Sequence, residues 1–277
     1  MFNEDTIAFI GCGNMGEAMV RGLLTQKTIA PERIIASDPR PERGVELEAR
    51  YGIRTTRSNA EAAEAGQIVV LAIKPQVLAR AVPDLRGRLR RRDLVLSIMA
   101  GIPIRQIADA LAHAAVARAM PNTPGQIGQG ISVWTATPEV SDVQRAQAQK
   151  ILMSLGTEIP VDEESFLDMA TALSGTGPAY VFLVMEAMID AGVHMGFSRR
   201  MAKELVLKTM LGSVQYAAQS DAHEAELRNQ VTSPAGTTAA ALYQLEKGGL
   251  RTVISRGVWA AYERSIALGS GEKKDRL

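Results

Sequence analysis

The chain has 277 residues, of which 46% are hydrophobic and 22% charged, a balance typical of a globular protein and not of a disordered or fibrous one. This length is enough for two domains of about 100–200 residues each. Lys and Arg total 31 against 30 for Asp and Glu, so the net charge of +1 gives no broad basic field for nucleic acid or anionic lipid. A single cysteine, Cys12, and three dispersed histidines predict neither a disulfide nor a metal site.

The start of the chain and its hydropathy predict a cytoplasmic protein without a membrane span. The first ten residues carry no basic leader and no small-residue cleavage site. No uncharged apolar stretch reaches the roughly 18 residues that a membrane span requires. The basic run at residues 86–92 is interpreted as a solvated helix end in preference to an interaction patch.

Residues 1–161 alternate short β-rich runs with helical patterns. Several of the runs are apolar on both faces, as strands covered by helices must be; they lie at 6–10, 33–37, 68–73, 94–99, 116–119 and 131–135. Between the first two, apolar residues recur at helical spacing from Met15 to Leu23, which gives a β-α-β unit of about thirty residues. This is the opening of a doubly wound α/β domain.

Residues 162–277 carry helical patterns only, so the second domain is predicted to be all-α. The predicted helices are 165–173, 178–195, 198–219, 222–231, 236–247 and 250–268. The helix at 178–195 is apolar almost all round, with Glu186, Asp190 and His194 as its ionisable residues, so it must be buried on every side. A domain this small has difficulty burying such a helix alone, and a partner subunit is therefore predicted.

A glycine-rich turn follows the first predicted strand and opens the first helix. Gly11, Gly13 and Gly16 have the spacing of a dinucleotide-binding turn, in which they allow the tight turn, the close approach of a pyrophosphate and close helix–sheet packing, respectively. Asn14 and Met15 begin the helix, whose N-terminal N–H groups and partial positive charge suit the phosphates. The first domain is thus predicted to be a Rossmann domain that binds NADPH or NADH.

The choice between the two cofactors stays open in the sequence. Asp38 ends the second strand 22 residues after Gly16, where an acidic side chain would bond the adenosine ribose of NAD and repel the extra phosphate of NADP. Arg40 and Arg43 follow at once and could supply the opposite charge. A capped, solvated turn is the alternative interpretation of all three residues.

Two further strand ends are predicted to meet the glycine turn at the same edge of the sheet. Ala72 and Lys74 follow one buried strand and Met99 follows the next. Ligands of open α/β sheets bind at the carboxyl edge, so these residues are predicted to line the dinucleotide site.

Besides the glycine turn, four motifs resemble the pyrroline-5-carboxylate reductase family. They read Ile-Lys-Pro-Gln at 73–76, Met-Pro-Asn-Thr-Pro at 120–124, Leu-Ser-Gly-Thr-Gly-Pro-Ala-Tyr-Val-Phe at 173–182 and Val-Thr-Ser-Pro-Ala-Gly-Thr-Thr at 231–238. They occur in the family order and span nearly the whole chain, and the last is the most specific. This chain departs from the family pattern at Ala235, where glycine is usual; alanine would strain the loop if a positive φ is required there.

The resemblance implies a Rossmann domain followed by a helical domain that dimerises with interlocked helices, with dimers often assembled into larger rings. It also implies reduction of the cyclic imine Δ1-pyrroline-5-carboxylate to L-proline by NADPH or NADH. The loop at 233–238 would hold this small-molecule substrate, with backbone N–H groups of Gly236 and Thr237 on its carboxylate and Thr238 on the ring nitrogen. The remaining implied positions are Ser233, Glu164 and Gln230 in the substrate pocket, where some members have asparagine in place of Gln230, and Asn59 near the cofactor.

The residue chemistry favours an imine over a ketone substrate. A carbonyl reductase usually supplies a His, Lys or Tyr acid to a developing alkoxide, but the four motifs contain no histidine, and Tyr180 lies within an apolar helix. An imine nitrogen is basic enough to arrive protonated, so the enzyme needs positioning more than acid catalysis. The alternative for Ser233, Thr237 and Thr238 is that they only cap the following helix.

Three competing functions are weighed against this one. A 3-hydroxyacid dehydrogenase of the same two-domain plan would need a lysine soon after the Ser-Gly segment, and none occurs before Lys203. A reductase of another cyclic imine would differ only in pocket contacts. A nucleotide-sensing regulator could keep the fold without the chemistry, because a fold alone does not establish activity.

Overall fold

The computed structural model describes Phe2 and residues 5–270, without the side chain of Ser270. These residues form two compact units. The first contains the described residues up to Thr176 together with those from Ala261 onward, and the second is Gly177–Ala260.

The first unit is built on one eight-stranded sheet in the order β3-β2-β1-β4-β5-β6-β7-β8. The strands are β1 Ile7–Ile10, β2 Ile34–Ser37, β3 Arg54–Thr56, β4 Ile68–Leu71, β5 Leu94–Ser97, β6 Val116–Met120, β7 Gly130–Ala136 and β8 Gly156–Pro160. Strands β1 to β6 are parallel to one another, β7 is antiparallel to β6, and β8 is parallel to β7. The order of the first six strands is that of the Rossmann fold, which confirms the predicted fold class.

Helices cover both faces of this sheet. They are α1 Asn14–Thr25, α2 Pro41–Tyr51, α3 Asn59–Ala65, α4 Leu78–Leu85, α5 Ile104–Leu111, α6 Asp142–Leu152 and α7 Phe166–Ala170, the last continuing as a π-helical turn at Thr171–Gly175. Alternate residues of β1 enter two different cores: Ile7 and Phe9 pack in one, Ala8 and Ile10 in the other. Strands buried on both faces explain the unbroken apolar runs in the sequence.

The strand order reverses at β1, and this reversal determines where a ligand can bind to the sheet. Ile7 pairs with Ile34 of β2 on one side and with Ile68 of β4 on the other. The chain that leaves β1 therefore enters the gap between two oppositely directed crossovers, where open α/β sheets bind ligands at the carboxyl ends of their strands.

The second unit is all-helical, as predicted. Its helices are α8 Gly177–His194, α9 Arg199–Ala218, α10 Glu224–Gln230, α11 Thr237–Lys247 and the first part of α12 Leu250–Ser270, whose residues from Ala261 onward belong to the first unit. Helices α8 and α9 pack closely at Gly192, where an added Cβ would lie 3.0 Å from Cβ of Ala202.

A single chain does not bury α8 on every side, and this is the difficulty from which a partner subunit is predicted. Gly192 is its one buried residue, and Phe182 is 59% exposed. By length and composition alone, the stretch Phe166–His194 could cross a membrane, although it carries Glu186 and Asp190. The apolar side chains are present as expected, but one copy of the chain does not cover them.

Candidate active site

The glycine turn after β1 gives each of its three glycines a different environment. Gly11 has φ +81°, and a Cβ there would lie 2.6 Å from Cγ2 of Ile73. A Cβ on Gly16 would lie 3.0 Å from the Gly11 carbonyl oxygen and 3.4 Å from Cβ of Ala72. A Cβ on Gly13 would have nothing within 4 Å. Two glycines are therefore required by packing, while the third leaves open space.

The open space adjoins a helix N-terminus that has no side-chain cap in the part of the chain that the structure describes. Gly13 is the N-cap of α1, and Asn14 and Met15 form the first turn. Ser58, Ser141 and Ser198 cap α3, α6 and α9 through their hydroxyls. The unpaired N–H groups of α1 thus remain available to an anion.

The predicted residues after β4 and β5 lie at the same carboxyl edge. Ala72 borders the glycine turn through its side chain and carbonyl oxygen. Lys74 is exposed two residues further on, and Met99 is buried, with its N–H donating to Oγ of Ser97 at 3.3 Å. This edge of the sheet therefore carries the closely packed backbone of Ala72, the buried side chain of Met99 and the exposed cation of Lys74.

Asn59 joins the end of β2 to the helices beside it. Its Oδ1 accepts a hydrogen bond from Ser37 Oγ at 2.8 Å, and its Nδ2 donates to Asp84 Oδ2 at 3.1 Å. The side chain thus links Ser37, the residue before Asp38, to Asp84 of α4, beside the place where the adenosine end of a dinucleotide lies in this fold.

Asp38 is buried at the end of β2 and forms a bidentate pair with Arg40. Nε of Arg40 donates to Oδ1 at 2.9 Å and Nη2 donates to Oδ2 at 3.1 Å, while the Arg40 backbone N–H also reaches Oδ1. Burial acts to raise the pKa of Asp38, but these hydrogen bonds outweigh it and hold that pKa below its usual range. The carboxylate is therefore ionised, with its charge balanced locally.

Cys12 is enclosed within the glycine turn. Its side chain is fully buried, and burial raises the pKa of the thiol to about 12. Because the thiolate is the reactive form, Cys12 is a small packing residue and not a nucleophile.

The predicted substrate loop precedes α11 in the second unit. Gly236 is the N-cap of α11. Like α1, which begins at Gly13, this helix has no side-chain cap hydrogen bond at its N-cap. The Gly236 N–H donates to the Ser233 carbonyl oxygen at 3.1 Å, and a Cβ on Gly236 would clash with Ser233 Oγ. The loop thus closes on itself at Gly236 and leaves the N–H groups of Thr237 and Thr238 at an uncapped helix start.

Ala235 adopts the left-handed conformation, with φ +58°. This is the case in which alanine strains the loop, because its Cβ crowds the backbone where glycine does not.

The two other predicted substrate residues lie in different units. Gln230 ends α10 in the second unit and accepts a hydrogen bond from the Tyr216 hydroxyl at 3.2 Å. Glu164 precedes α7 in the first unit, where its Oε1 accepts from Nη1 of Arg118 at 2.6 Å and from the Ile104 N–H at 2.7 Å.

Sequence reasoning missed Arg118. It is 3% exposed, lies within β6 and approaches Asp168 as well as Glu164. The detectable signal was a single charge inside an apolar strand, since a buried arginine needs a carboxylate partner. Arg118 thereby fixes the position of Glu164.

The residues at the carboxyl edge fit a dinucleotide. A glycine without contacts next to an uncapped helix N-terminus provides a cradle for the pyrophosphate, and the end of β2 offers a charged pair for the ribose. The fold and this site define the class of NAD(P)-dependent oxidoreductases.

Comparison with known proteins narrows the class to a family. Residues 164–268 match the family described as pyrroline-5-carboxylate reductase dimerisation, and residues 6–101 match that described as NADP oxidoreductase, coenzyme F420-dependent. A pyrroline-5-carboxylate reductase of Synechocystis is 41% identical over 95% of this chain and 98% of its own. The chain belongs to the pyrroline-5-carboxylate reductase family, as its motifs predict.

Solved structures agree. The Plasmodium falciparum pyrroline carboxylate reductase with NADP bound superposes with a TM-score of 0.88 at 32% identity and covers 96% of this chain and 98% of its own. The Coxiella burnetii pyrroline-5-carboxylate reductase gives a TM-score of 0.86 at 33% identity, covering 96% and 99%. The predicted family, the oxidoreductase class and the use of a nicotinamide cofactor are thereby confirmed.

Proposed function

We propose that this chain reduces Δ1-pyrroline-5-carboxylate to L-proline with NADPH or NADH. The observation that carries this proposal is the 41% identity to a pyrroline-5-carboxylate reductase over 95% of the chain. The loop at 233–238 and the dinucleotide cradle after β1 are consistent with it. The reduced nicotinamide supplies a hydride to the imine carbon.

We propose that the chain holds the dinucleotide and the substrate in the same way, each at the N-terminus of a helix. Both α1 and α11 begin at a glycine N-cap without a side-chain hydrogen bond. We propose that the first turn of α1 binds the pyrophosphate and that the N–H groups of Thr237 and Thr238 bind the substrate carboxylate. The alternative that Ser233, Thr237 and Thr238 only cap α11 loses support, because within the described residues no side-chain hydrogen bond caps this helix.

The substrate loop differs in one detail from what the family resemblance implies. Because the Gly236 N–H donates to Ser233, its donor is already used. Gly236 therefore contributes by allowing the tight turn, and the carboxylate contacts shift by one residue toward Thr238. Ser233 supplies the acceptor that closes this turn.

Thr238 orients the imine nitrogen. The substrate arrives as an iminium, so the carbon is already electrophilic and no strong acid is required. A hydroxyl at the second position of α11 can accept a hydrogen bond from the iminium N–H and hold the ring in place for the hydride. The family resemblance also implies substrate contacts for Glu164 in the first unit and for Gln230 in the second, and Arg118 is the positioning residue for Glu164.

The test is an assay of purified protein with pyrroline-5-carboxylate and each cofactor, followed at the nicotinamide absorbance. Thr238→Ala is expected to lower kcat roughly ten- to thousandfold and to raise KM less, the effect of losing one oriented polar group in the transition state. Thr238→Ser retains the hydroxyl and is the matched control. Unchanged kinetics in Thr238→Ala would remove Thr238 from the mechanism.

The same assay separates the rival functions. Cofactor binding without oxidation would favour a nucleotide-sensing regulator. Faster turnover of a cyclic imine without a carboxylate would favour another imine reductase, because the N–H groups of α11 would then have no anion to bind.

We propose residues 1–161 as the dinucleotide-binding domain and 162–277 as the dimerisation and substrate domain, in a cytoplasmic homodimer that can assemble into a larger ring. The match of residues 164–268 to the dimerisation family and the exposed apolar face of α8 support the dimer.

A further inference from the structure

The two arginines after β2 have different environments, which the sequence does not reveal. Arg43 is 11% exposed and all three of its guanidinium nitrogens have partners. Nε donates to the Cys12 carbonyl oxygen at 3.0 Å, Nη1 to Glu46 at 2.7 Å and Nη2 to Glu17. Two carboxylates balance its charge, so Arg43 braces the glycine turn and is not free to bind a ligand.

Arg40 is available. Its side chain is 57% exposed, and within the described part of the chain its guanidinium hydrogen-bonds only Asp38. A guanidinium has five N–H donors, and this pair uses two of them. The remaining three are not used by Asp38, and Arg40 follows the end of β2, where the adenosine ribose binds in this fold.

The pairing also changes what Asp38 can do. An unpaired carboxylate here would accept the ribose hydroxyls of NAD and repel a phosphate. In this structure both carboxylate oxygens are already hydrogen-bonded to Arg40, whose charge offsets that of Asp38. Asp38 thus acts on the guanidinium, holding it in one orientation, before it can act on a ribose.

We propose that Arg40 recognises the adenosine 2′-phosphate and that this chain therefore binds NADPH more tightly than NADH. Asp38 is a positioning residue for Arg40. A planar guanidinium that is already fixed can offer a phosphate two parallel hydrogen bonds with little loss of side-chain entropy. This inference rests on the dinucleotide site of the proposed function and adds its cofactor selectivity.

The experiment compares two probes that lack nicotinamide and differ by one phosphate, 2′-phospho-ADP-ribose and ADP-ribose. Their dissociation constants are measured by calorimetry for the wild-type protein, Arg40→Met and Arg33→Met. Arg33 precedes β2 at the opposite end of the same strand, so its loss removes the same charge away from the site.

The wild-type protein is expected to bind 2′-phospho-ADP-ribose more tightly. Arg40→Met should weaken that probe about tenfold or more, the effect of losing a charge-assisted pair of hydrogen bonds. It should leave ADP-ribose within about threefold, because Asp38 is then free to accept the ribose hydroxyls. Arg33→Met should change each constant by less than about twofold, since salt screens a distant charge.

Equal effects of Arg40→Met on both probes, or no effect on either, would overturn the inference. So would tighter binding of ADP-ribose than of 2′-phospho-ADP-ribose by the wild-type protein. Failure of the wild-type protein to bind either probe would instead overturn the dinucleotide site, and with it the proposed function. Arg40→Lys, which keeps the charge and loses the planar fork, should weaken the phosphorylated probe by an intermediate amount.

Discussion

Gly13 is the glycine of the turn whose substitution should affect the ligand and not the protein. A Cβ on it meets no atom within 4 Å, and its φ of −73° suits any residue. Gly13→Ala should therefore raise the dissociation constant of the dinucleotide about tenfold or more, because the added methyl occupies space the pyrophosphate needs. Its thermal unfolding midpoint should stay within about 1 °C of the wild-type value.

Gly11 provides the contrast. Its φ of +81° and the 2.6 Å approach of an added Cβ to Ile73 predict that Gly11→Ala destabilises the fold as well as weakening binding. Calorimetry and thermal unfolding of both variants separate the two effects. A Gly13→Ala protein that binds normally would show that the open space is not the pyrophosphate site.

Glycine, the residue usual in the family at position 235, should stabilise the protein relative to Ala235. Replacing it with glycine relieves the left-handed conformation, and we expect Ala235→Gly to raise the unfolding free energy by about 0.5–1 kcal/mol. Ala112→Gly, at φ +52° after α5, should also be stabilising. Ala114 does not have a positive φ, so Ala114→Gly should be destabilising. Equal changes in denaturant midpoint for all three variants would contradict the assignment of strain to Ala235.

At this scale the sequence predicts which positions lie at the carboxyl edge of the sheet and not how their side chains pair. The ends of β1, β2, β4 and β5 were found because buried strands stand out as apolar runs. Arg43 could not be separated from Arg40, because its partner Glu17 lies on α1 whereas Arg43 lies on α2. Pairing across elements depends on tertiary packing, which residue spacing does not encode.

Helices α1 and α2 are joined by an ion network centred on Glu17. Arg43, Arg50 and the Tyr51 hydroxyl all donate to its carboxylate. Burial acts to raise the pKa of Glu17, yet these hydrogen bonds lower it from 4.5 to about 2. The ionised side chain thus stabilises the packing of α2 beside the glycine turn.

The stabilisation by Glu17 should depend on pH in a defined window. Because its pKa is lower in the folded than in the unfolded chain, the contribution is complete above about pH 4.5 and is lost as the pH falls toward 2. The difference in unfolding free energy between wild-type and Glu17→Gln proteins should therefore be constant above about pH 5 and shrink below it.

Urea unfolding at a series of pH values measures this difference. Glu32→Gln, in the exposed turn before β2, is the control and should follow the wild-type curve. A Glu17→Gln difference that grows on acidification would contradict the network.

Elements with a hydrophobic signature were predictable, and elements without one were not. The second-unit helices begin and end within about two residues of their predicted bounds, since their apolar periodicity is long. Strands β3 and β8 were missed. Arg54–Thr56 is short and has no apolar residue to mark it, although threonine favours strands. Gly156–Pro160 contains glycine, glutamate and proline, so there tertiary pairing overrides a local preference against strands.

The association state and thermal stability of the whole molecule are predicted to depend on protein concentration. The exposed apolar residues of α8 form a surface of a kind that monomeric proteins rarely expose, and residues 164–268 match a dimerisation family. Phe182→Asp should convert the dimer to a monomer in sedimentation equilibrium, because it places a charge in an apolar interface. Dilution should lower the thermal midpoint of the wild-type protein and not that of this variant.

Val45→Asp is the matched control. Val45 lies on α2 in the first unit and is 67% exposed, so an added charge there should leave the mass and the midpoint unchanged. A Phe182→Asp protein of wild-type mass would place the dimer interface away from α8.

The two edge strands of the sheet, β3 and β8, help the molecule to avoid uncontrolled aggregation. An open sheet has two edges whose unpaired N–H and C=O groups can recruit strands from other molecules. At one edge, β3 is three residues long and begins with Arg54; at the other, β8 carries Glu158 and ends at Pro160, which has no N–H to donate. Both edges disfavour strand addition, so the sheet is protected from fibre-like growth while helices remain free to mediate specific assembly.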